Sequence, residues 1–398
     1  MDNIVYDYAI VGAGILGLAI AKRLTDIYPD KNLIVLDKET GPAKHQTGRN
    51  SGVIHAGVYY APGSAKARLC RAGVPKLIKF CHENEIEHEQ CGKMIVAVND
   101  EEVKQMAALY DRAKENGIKI SRIEQEELNR REPSITGKAA LYSPTTGIVD
   151  YKAVCQKLTE ILANHRTTFL YSTKVDDLIE TTDEIVIETF KGRIRCKKFI
   201  ACAGLQSDRI ANMLGLADDF RIVPFRGEYF RLSEKHNNIV NHLIYPMPRK
   251  GLPFLGVHLT KMIGNYVTVG PNAVLSLGRE DYKRSLIQPR DSWSTFSYPG
   301  FWKLINKYKM AGLSELKCTI SKSSYLARIR QYCPEISRDD LHPYRTGIRA
   351  QAVDRSGNMI EDFLIKRTNR TVHVCNAPSP AATSSFAIAE NLFDMGYL

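Results

Sequence analysis

The chain has 398 residues, 44% hydrophobic and 25% charged, the composition of an ordinary globular protein with room for two or three domains. Its net charge of +11 comes from 55 Lys and Arg against 44 Asp and Glu, yet no Lys/Arg run exceeds two residues, which argues against a dedicated nucleic-acid patch. No stretch of 18 or more apolar residues occurs, so no membrane-spanning helix is predicted.

Tyr8-Ala9-Ile10-Val11 reads as a buried strand, followed by the turn Gly12-Ala13-Gly14-Ile15-Leu16-Gly17 and a helical run. A second strand, Leu33–Leu36, ends at Asp37, 20 residues after Gly17. In that spacing Gly12 permits the tight turn, Gly14 lets a pyrophosphate approach the backbone, and Gly17 lets helix pack on strand. The helix N-terminus offers unpaired N–H groups and a positive dipole end to phosphates, and Asp37 offers a carboxylate to a ribose hydroxyl. This pattern predicts a bound dinucleotide. The strand begins within the first ten residues, so no signal or transit peptide is expected. Nine cysteines without a C-x-x-C pair or metal-like spacing point to reduced thiols in a cytoplasmic protein.

Residues Lys66–Asn84, 100–117 and Tyr151–Asn164 read as helices, the second ending at Asn116-Gly117. Strands are expected at Phe169–Tyr171, Lys174–Leu178, Glu184–Phe190 and Phe199–Gly204, then a helix at Ser207–Leu214. Residues 221–275 are strand-rich, with Phe225–Leu232, Gly256–Leu259 and Tyr266–Val269, the texture of a mostly antiparallel sheet. The last 60 residues return to strand, turn, strand and helix, with Thr371–Cys375 leading into Ala377–Ala381. The expected fold is α/β plus α+β. A Rossmann-like nucleotide domain is assembled from 1–85, 145–220 and 335–398, and an antiparallel-sheet substrate domain from 86–144 and 221–334.

The glycine turn with Asp37, the segment Gln46–His55 and the turn Ala201-Cys202-Ala203-Gly204 together resemble the flavoenzymes of the D-amino-acid-oxidase-like group, whose FAD domain is of the glutathione-reductase type. Longer strings, His45–Tyr60, Pro224–Phe230, Pro253–Thr260 and Asn376–Ser384, resemble the branch of that group that oxidises L-2-hydroxyglutarate. The resemblance implies FAD, with hydride transfer to flavin N5 and no resident metal. It carries FAD contacts onto Gly12, Gly14, Ile15, Gly17, Asp37, Lys38, Thr47, Gly48, Asn50, Ser51, Gly52, Val53, His55, Val175, Ala203, Gly204, Pro378, Ser379, Ala381, Ala382 and Thr383. Asp37 stands where the group often has Glu; either carboxylate holds ribose. The resemblance further implies a small dicarboxylic 2-hydroxy acid as substrate and a quinone, another respiratory-chain acceptor or O2 as oxidant. With the basic charge, it points to peripheral contact with anionic lipid on the cytoplasmic face of the inner membrane.

Oxidising a 2-hydroxy acid requires the carboxylate to be held and the hydroxyl proton to leave. The planar fork of arginine suits the first task. The candidates are Arg226, beside Gly227, and Arg349, in Thr346-Gly347-Ile348-Arg349-Ala350-Gln351; each also fits an ion pair between domains. A neutral histidine suits the second task. His55 lies in a small-residue segment that would approach the isoalloxazine, and His258 alternates with Val257 and Leu259 on a strand. Each also fits a satisfied core histidine, and His55 a covalent link to flavin. Tyr59, Tyr60 and Tyr245 are candidates for holding a distal carboxylate. The prolines and small residues of Asn376–Ser384 open a helix whose N-terminus would face the negative N1/O2 edge of reduced flavin. An amine or amino-acid oxidase, a glycerol-3-phosphate-type dehydrogenase and a non-catalytic FAD-binding subunit remain as alternatives.

Overall fold

The computed structural model describes residues 4–248, 256–283 and 287–398. Its eight-stranded sheet grows from the opening strand Val5–Val11, which pairs in parallel with Leu33–Leu36 on one side and Gly192–Ala201 on the other. Thr167–Leu170 extends the sheet beyond Leu33–Leu36, and Thr371–Asn376 pairs in parallel with the end of Gly192–Ala201. Antiparallel strands Val175–Glu180, Ile185–Thr189 and Leu364–Arg367 complete it. Alternate residues of the two central strands enter different cores. Ile10, Leu33 and Val35 pack with Leu18, Leu24, Leu158 and Ile388, whereas Ala9, Val11, Ile34 and Leu36 pack with Leu178, Ile187 and Ile210. Burial on both faces explains why these strands read as unbroken apolar runs rather than alternating ones. Helices Ile15–Ile27, Ala65–Glu83, Tyr151–Ala163 and Ala381–Asp394 cover the first face, and the last packs against the first two.

The larger sheet runs in the order Val274–Leu275, Phe220–Leu232, Tyr266–Gly270, His258–Met262, Leu243–Pro246, Lys93–Ala97, Ala139–Ser143, Ser121–Glu124. Its pairs are antiparallel except that between Leu243–Pro246 and Lys93–Ala97. The strand-rich texture of 221–275 therefore reports a mixed, mainly antiparallel sheet. Leu341–Asp354 differs from expectation: placed above with the nucleotide domain, it pairs with Phe220–Leu232 along almost its whole length, from Phe220–Asp354 to Leu232–Leu341. Three helices, Pro289–Phe296, Pro299–Ile320 and Lys322–Arg330, were not anticipated in the sequence reading. A kink at Tyr308 breaks the periodicity of the middle one, which masks a helical pattern.

A buried ion pair joins the parts. Arg279 is fully buried and donates through Nη1 to Asp208 Oδ1 and, at 2.9 Å, to the carbonyl of Leu205; its Nη2 donates to Asp208 Oδ2 at 2.8 Å. Asp208 Oδ2 also accepts from the backbone N–H of Ile222 at 3.0 Å, tying helix Ser207–Asn212 to strand Phe220–Leu232. Arg279→Ala would leave the Asp208 charge buried without its partner. That loss is expected to lower the stability of the FAD-loaded protein by about 3–5 kcal/mol in urea unfolding. A loss below about 1 kcal/mol, the scale of a surface pair, would show that the pair does not hold the parts together.

Candidate active site

The glycine turn is built by backbone meeting backbone. Gly12 has φ +104°, and a Cβ there would lie 2.3 Å from the carbonyl oxygen of Cys202; a Cβ on Gly17 would lie 2.0 Å from the carbonyl oxygen of Gly12. Neither position accepts a side chain. Gly14 precedes helix Ile15–Ile27, whose first N–H, on Ile15, donates to Thr47 Oγ1 at 3.1 Å. Asp37 accepts from the N–H groups of Ala13 at 2.7 Å and Glu39 at 2.9 Å, which fixes its carboxylate beside the turn. Burial raises the Asp37 pKa against the pull of those two bonds.

These groups line one end of a cavity of about 1290 Å³. That volume exceeds the roughly 300–1,000 Å³ of a drug-sized pocket, leaving space for a dinucleotide and a small acid together. Every position expected to touch FAD lines it except Gly48 and Gly52. Those two serve the loop instead: a Cβ on Gly48 would meet the Ala43 carbonyl at 2.1 Å, and Gly52 has φ +69°. Asn50 braces the same loop, donating to Thr47 O at 2.9 Å and accepting from Gly52 N at 2.7 Å. Lys38 lies against Glu39 at 2.6 Å and Glu280 at 2.7 Å; burial opposes its charge, but the two carboxylates outweigh this and hold its pKa above the ordinary value. Glu39, His45 and Glu280 cluster closely enough to hold a metal ion, but the Lys38 ammonium contacts all three.

The segment from Ala377 to Thr383 also lines the cavity, and helix Ala381–Asp394 begins there at Pro380, which offers no side-chain cap. Thr383 Oγ1 accepts from His55 N at 3.1 Å and meets the Tyr151 hydroxyl at 3.0 Å. The glycine cradle, the Asp37 carboxylate and this open helix end match the phosphates, ribose and electron-rich ring edge of FAD.

The same cavity is lined by His55, Tyr59, Tyr60, Tyr245, His258 and Arg349. His258 Nδ1 lies 2.9 Å from the carbonyl oxygen of Gly256. Only a protonated Nδ1 suits that contact, so the lone pair is on Nε2, which is buried without a hydrogen-bond partner. The ring stacks on Tyr245, centroids 3.9 Å apart. Burial first, then the cations of Arg349 and Lys93, push the His258 pKa down to about 3 against the help of the Gly256 carbonyl. Burial, Lys93 and His258 hold His55 at about 3 as well. Arg349 donates through Nη1 to Asn272 O at 3.2 Å, across the space left by Gly227.

Arg226 does not reach the cavity. Its guanidinium lies 3.4 Å from Glu228 and 3.8 Å from Asp281. Gly227 and Tyr229 line the cavity, so strand alternation turns residues 226 and 228 to the opposite face. Sequence reasoning missed Lys93, whose ammonium lies 4.7 Å from the Tyr59 ring centroid and 5.1 Å from that of Tyr245. The available signal was a lone lysine opening the apolar run Met94-Ile95-Val96-Ala97. Residues 253–255 of the Pro253–Thr260 string lie outside the described residues.

A glycine-turn cradle, an acid for ribose and a helix end on one continuous cavity define an FAD-dependent oxidoreductase. The family model described as FAD dependent oxidoreductase matches residues 7–395; the chain belongs to that family, and FAD is its cofactor. L-2-hydroxyglutarate dehydrogenase of Escherichia coli strain K12 is 46% identical over 388 residues, covering 97% of this chain and 92% of that protein. The L-2-hydroxyglutarate dehydrogenase of Indibacter alkaliphilus is 42% identical, covering 96% of each chain, and the mitochondrial one of Homo sapiens is 40% identical, covering 98% of this chain and 88% of that protein. Among solved structures, L-alpha-glycerophosphate oxidase from Mycoplasma pneumoniae with FAD bound superposes with a TM-score of 0.80 at 20% identity, covering 98% of this chain and 94% of that chain. Glycine oxidase from Geobacillus kaustophilus follows at a TM-score of 0.72 and 17% identity, with the same coverage. At those identities the two structures speak for the fold alone.

Two outcomes are expected. Gly12→Val should purify without flavin absorbance, since the new side chain meets the Cys202 carbonyl; a yellow Gly12→Val protein would contradict the cradle. In the pH profile of kcat/KM, which reports the free enzyme, no limb is expected near the ordinary histidine value of about 6.5. The His258 imidazole is already neutral there and protonates only as pH falls towards about 3. A limb near 6.5 that vanishes in His258→Gln would show that it titrates normally.

Proposed function

We infer that the protein oxidises L-2-hydroxyglutarate to 2-oxoglutarate at the CH–OH carbon. The observation that carries this reading is the pairing, on one cavity, of the Arg349 guanidinium with an unpartnered His258 Nε2 beyond the FAD cradle. Bound FAD supplies the acceptor for the hydride that leaves C2. Arg349 clasps the carboxylate next to the reacting carbon, its planar fork fixing the orientation. His258 Nε2 takes the hydroxyl proton, and the Gly256 carbonyl supports the imidazolium through Nδ1–H. Substrate carboxylate offsets the Arg349 field that depresses His258, so the base strengthens once the substrate is bound. The 40–46% identity to proteins named for this activity supports the same reading.

We also propose, in support of that chemistry, a glutathione-reductase-type FAD unit drawn from 1–85, 145–220 and 335–398 less the strand Leu341–Asp354, which pairs in the sheet of the substrate side formed by 86–144 and 221–334. The relatives are named dehydrogenases, which favours a quinone over O2 as final acceptor. The net charge of +11 favours contact with anionic lipid, and no helix among the described residues is long and apolar enough to cross a membrane.

Anaerobic addition of L-2-hydroxyglutarate should bleach the flavin, whereas the D enantiomer, L-glutamate and glycerol 3-phosphate should not. An unbleached flavin sinks the proposal. Arg349→Met should keep FAD but raise KM at least about 30-fold, equivalent to roughly 2 kcal/mol of lost charge pairing. Arg226→Met should instead lower stability with KM little changed, because its partners are Glu228 and Asp281. Equal KM effects in the two variants would overturn this division of roles.

A further inference from the structure

Lys93 opens the strand Lys93–Ala97, all of whose residues are buried, and is itself 1% exposed. Through Tyr245 it abuts the apolar cluster that also holds Val53, Ala56, Ile95 and Met247. An ammonium in such surroundings is disfavoured unless an anion accompanies it. Among the described residues no carboxylate forms an ion pair with it; the contacts that hold it are the faces of Tyr59 and Tyr245. Both tyrosines line the cavity whereas Lys93 itself does not, so its charge reaches a ligand through them; the Tyr59 hydroxyl is buried without a hydrogen-bond partner. Lys66 also lines the cavity, and burial lowers its pKa against the pull of Glu361 and Asp362, two carboxylates it already faces. Arg112 is exposed at the rim and donates to the Tyr59 carbonyl at 3.5 Å.

The place of this cation relative to His258 gives it a meaning. His258 stacks on Tyr245 and feels the fields of both Arg349 and Lys93. A monocarboxylic hydroxy acid reacting at His258 needs only Arg349. A second desolvated positive charge beside the same imidazole calls for a second negative charge on the ligand.

We propose that the hydroxyls of Tyr59 and Tyr245, backed by the Lys93 ammonium, form the subsite for the distal carboxylate and select dicarboxylic over monocarboxylic 2-hydroxy acids. The proposal rests on the assignment of Arg349 and His258 above. A distal carboxylate seated on the two tyrosines sets an anion in the field of this buried cation. A monocarboxylate of equal length leaves both the ammonium and the Tyr59 hydroxyl unsatisfied, the kind of mismatch that discriminates strongly. Burial brings the Lys93 pKa down to about 8, so it remains mostly charged at neutral pH and loses its charge in the free enzyme above that value.

The test uses FAD-loaded protein and follows the flavin spectrum during titration with 2-oxoglutarate and with 2-oxovalerate, in which a methyl replaces the distal carboxylate. In Lys93→Met the Kd of 2-oxoglutarate should rise at least about 30-fold while that of 2-oxovalerate stays level or falls, and Lys93→Arg should restore part of the preference. Equal weakening of both ligands, or an unchanged preference, overturns the proposal. A shifted flavin potential with the preference intact also overturns it, since the charge would then serve the cofactor. If Lys93→Met fails to load FAD, Tyr59→Phe decides, with about tenfold weaker 2-oxoglutarate binding and unaltered 2-oxovalerate binding expected; an unchanged preference there counts against the subsite. Wild-type protein that bleaches with L-2-hydroxyglutarate while the variants keep their preference sinks the subsite alone. Wild-type protein that does not bleach sinks the underlying reading.

Discussion

The antiparallel ladder between Phe220–Leu232 and Leu341–Asp354 is the constraint on which the site depends. Its register sets Phe225 opposite Arg349 and Gly227 opposite Gly347. Gly227 has no side chain to fill the space that the Arg349 guanidinium crosses, and a Cβ on Gly347 would stand 2.2 Å from the Arg49 carbonyl. The ladder therefore approaches the 46–52 loop through bare backbone, with the arginine projecting beside it. A slip of one residue would turn Arg349 away and break that contact, because strand faces alternate with a period of two. The same parity sends Arg226 to its acidic partners.

The ladder also sets the electrostatics. Arg349 from one strand and Lys93 from another bracket a histidine that burial already keeps neutral. Each cation depresses the base further, and Lys93 has no carboxylate in an ion pair with it among the described residues, so the ligand-free cavity keeps a positive field at His258. An anionic substrate removes that imbalance and sharpens the base in one event, coupling recognition to proton transfer. A neutral or zwitterionic ligand would recover less of it. Charge of this kind, desolvated and fixed in place, acts far more strongly than the scattered surface lysines behind the net charge of +11.

What was legible in the sequence was local. The turn Gly12–Gly17 and Asp37 could be read because strand, turn, helix and acid follow one another within 37 residues and each carries its own steric reason. The helix entry at Pro380 was legible for the same reason. Arg226 and Arg349 could not be told apart, since which face a strand residue presents is decided by a partner more than a hundred positions away. Lys93 escaped because charge in a short apolar run reads as a strand end; only the packing of Tyr59 and Tyr245 around it gives it a role. The pairing of Leu341–Asp354 with Phe220–Leu232 was not legible because strand propensity names a strand, not its neighbour.

Long-range assembly also explains why both ends of the chain serve one cofactor. A single hydroxyl, Thr383 Oγ1, accepts from His55 N, contacts the Tyr151 hydroxyl and reaches the Val53 carbonyl, so three distant segments share one hydrogen-bonding centre. On the other side of the cavity, the Cys202 carbonyl fixes Gly12 and Thr47 meets the N-terminus of helix Ile15–Ile27. A ligand lying across all of these contacts binds the folded chain and not its separate pieces, so its binding free energy adds to the stability of the whole. The C-terminal helix is then as much a part of the cofactor site as the opening turn: either one alone presents half of a wall.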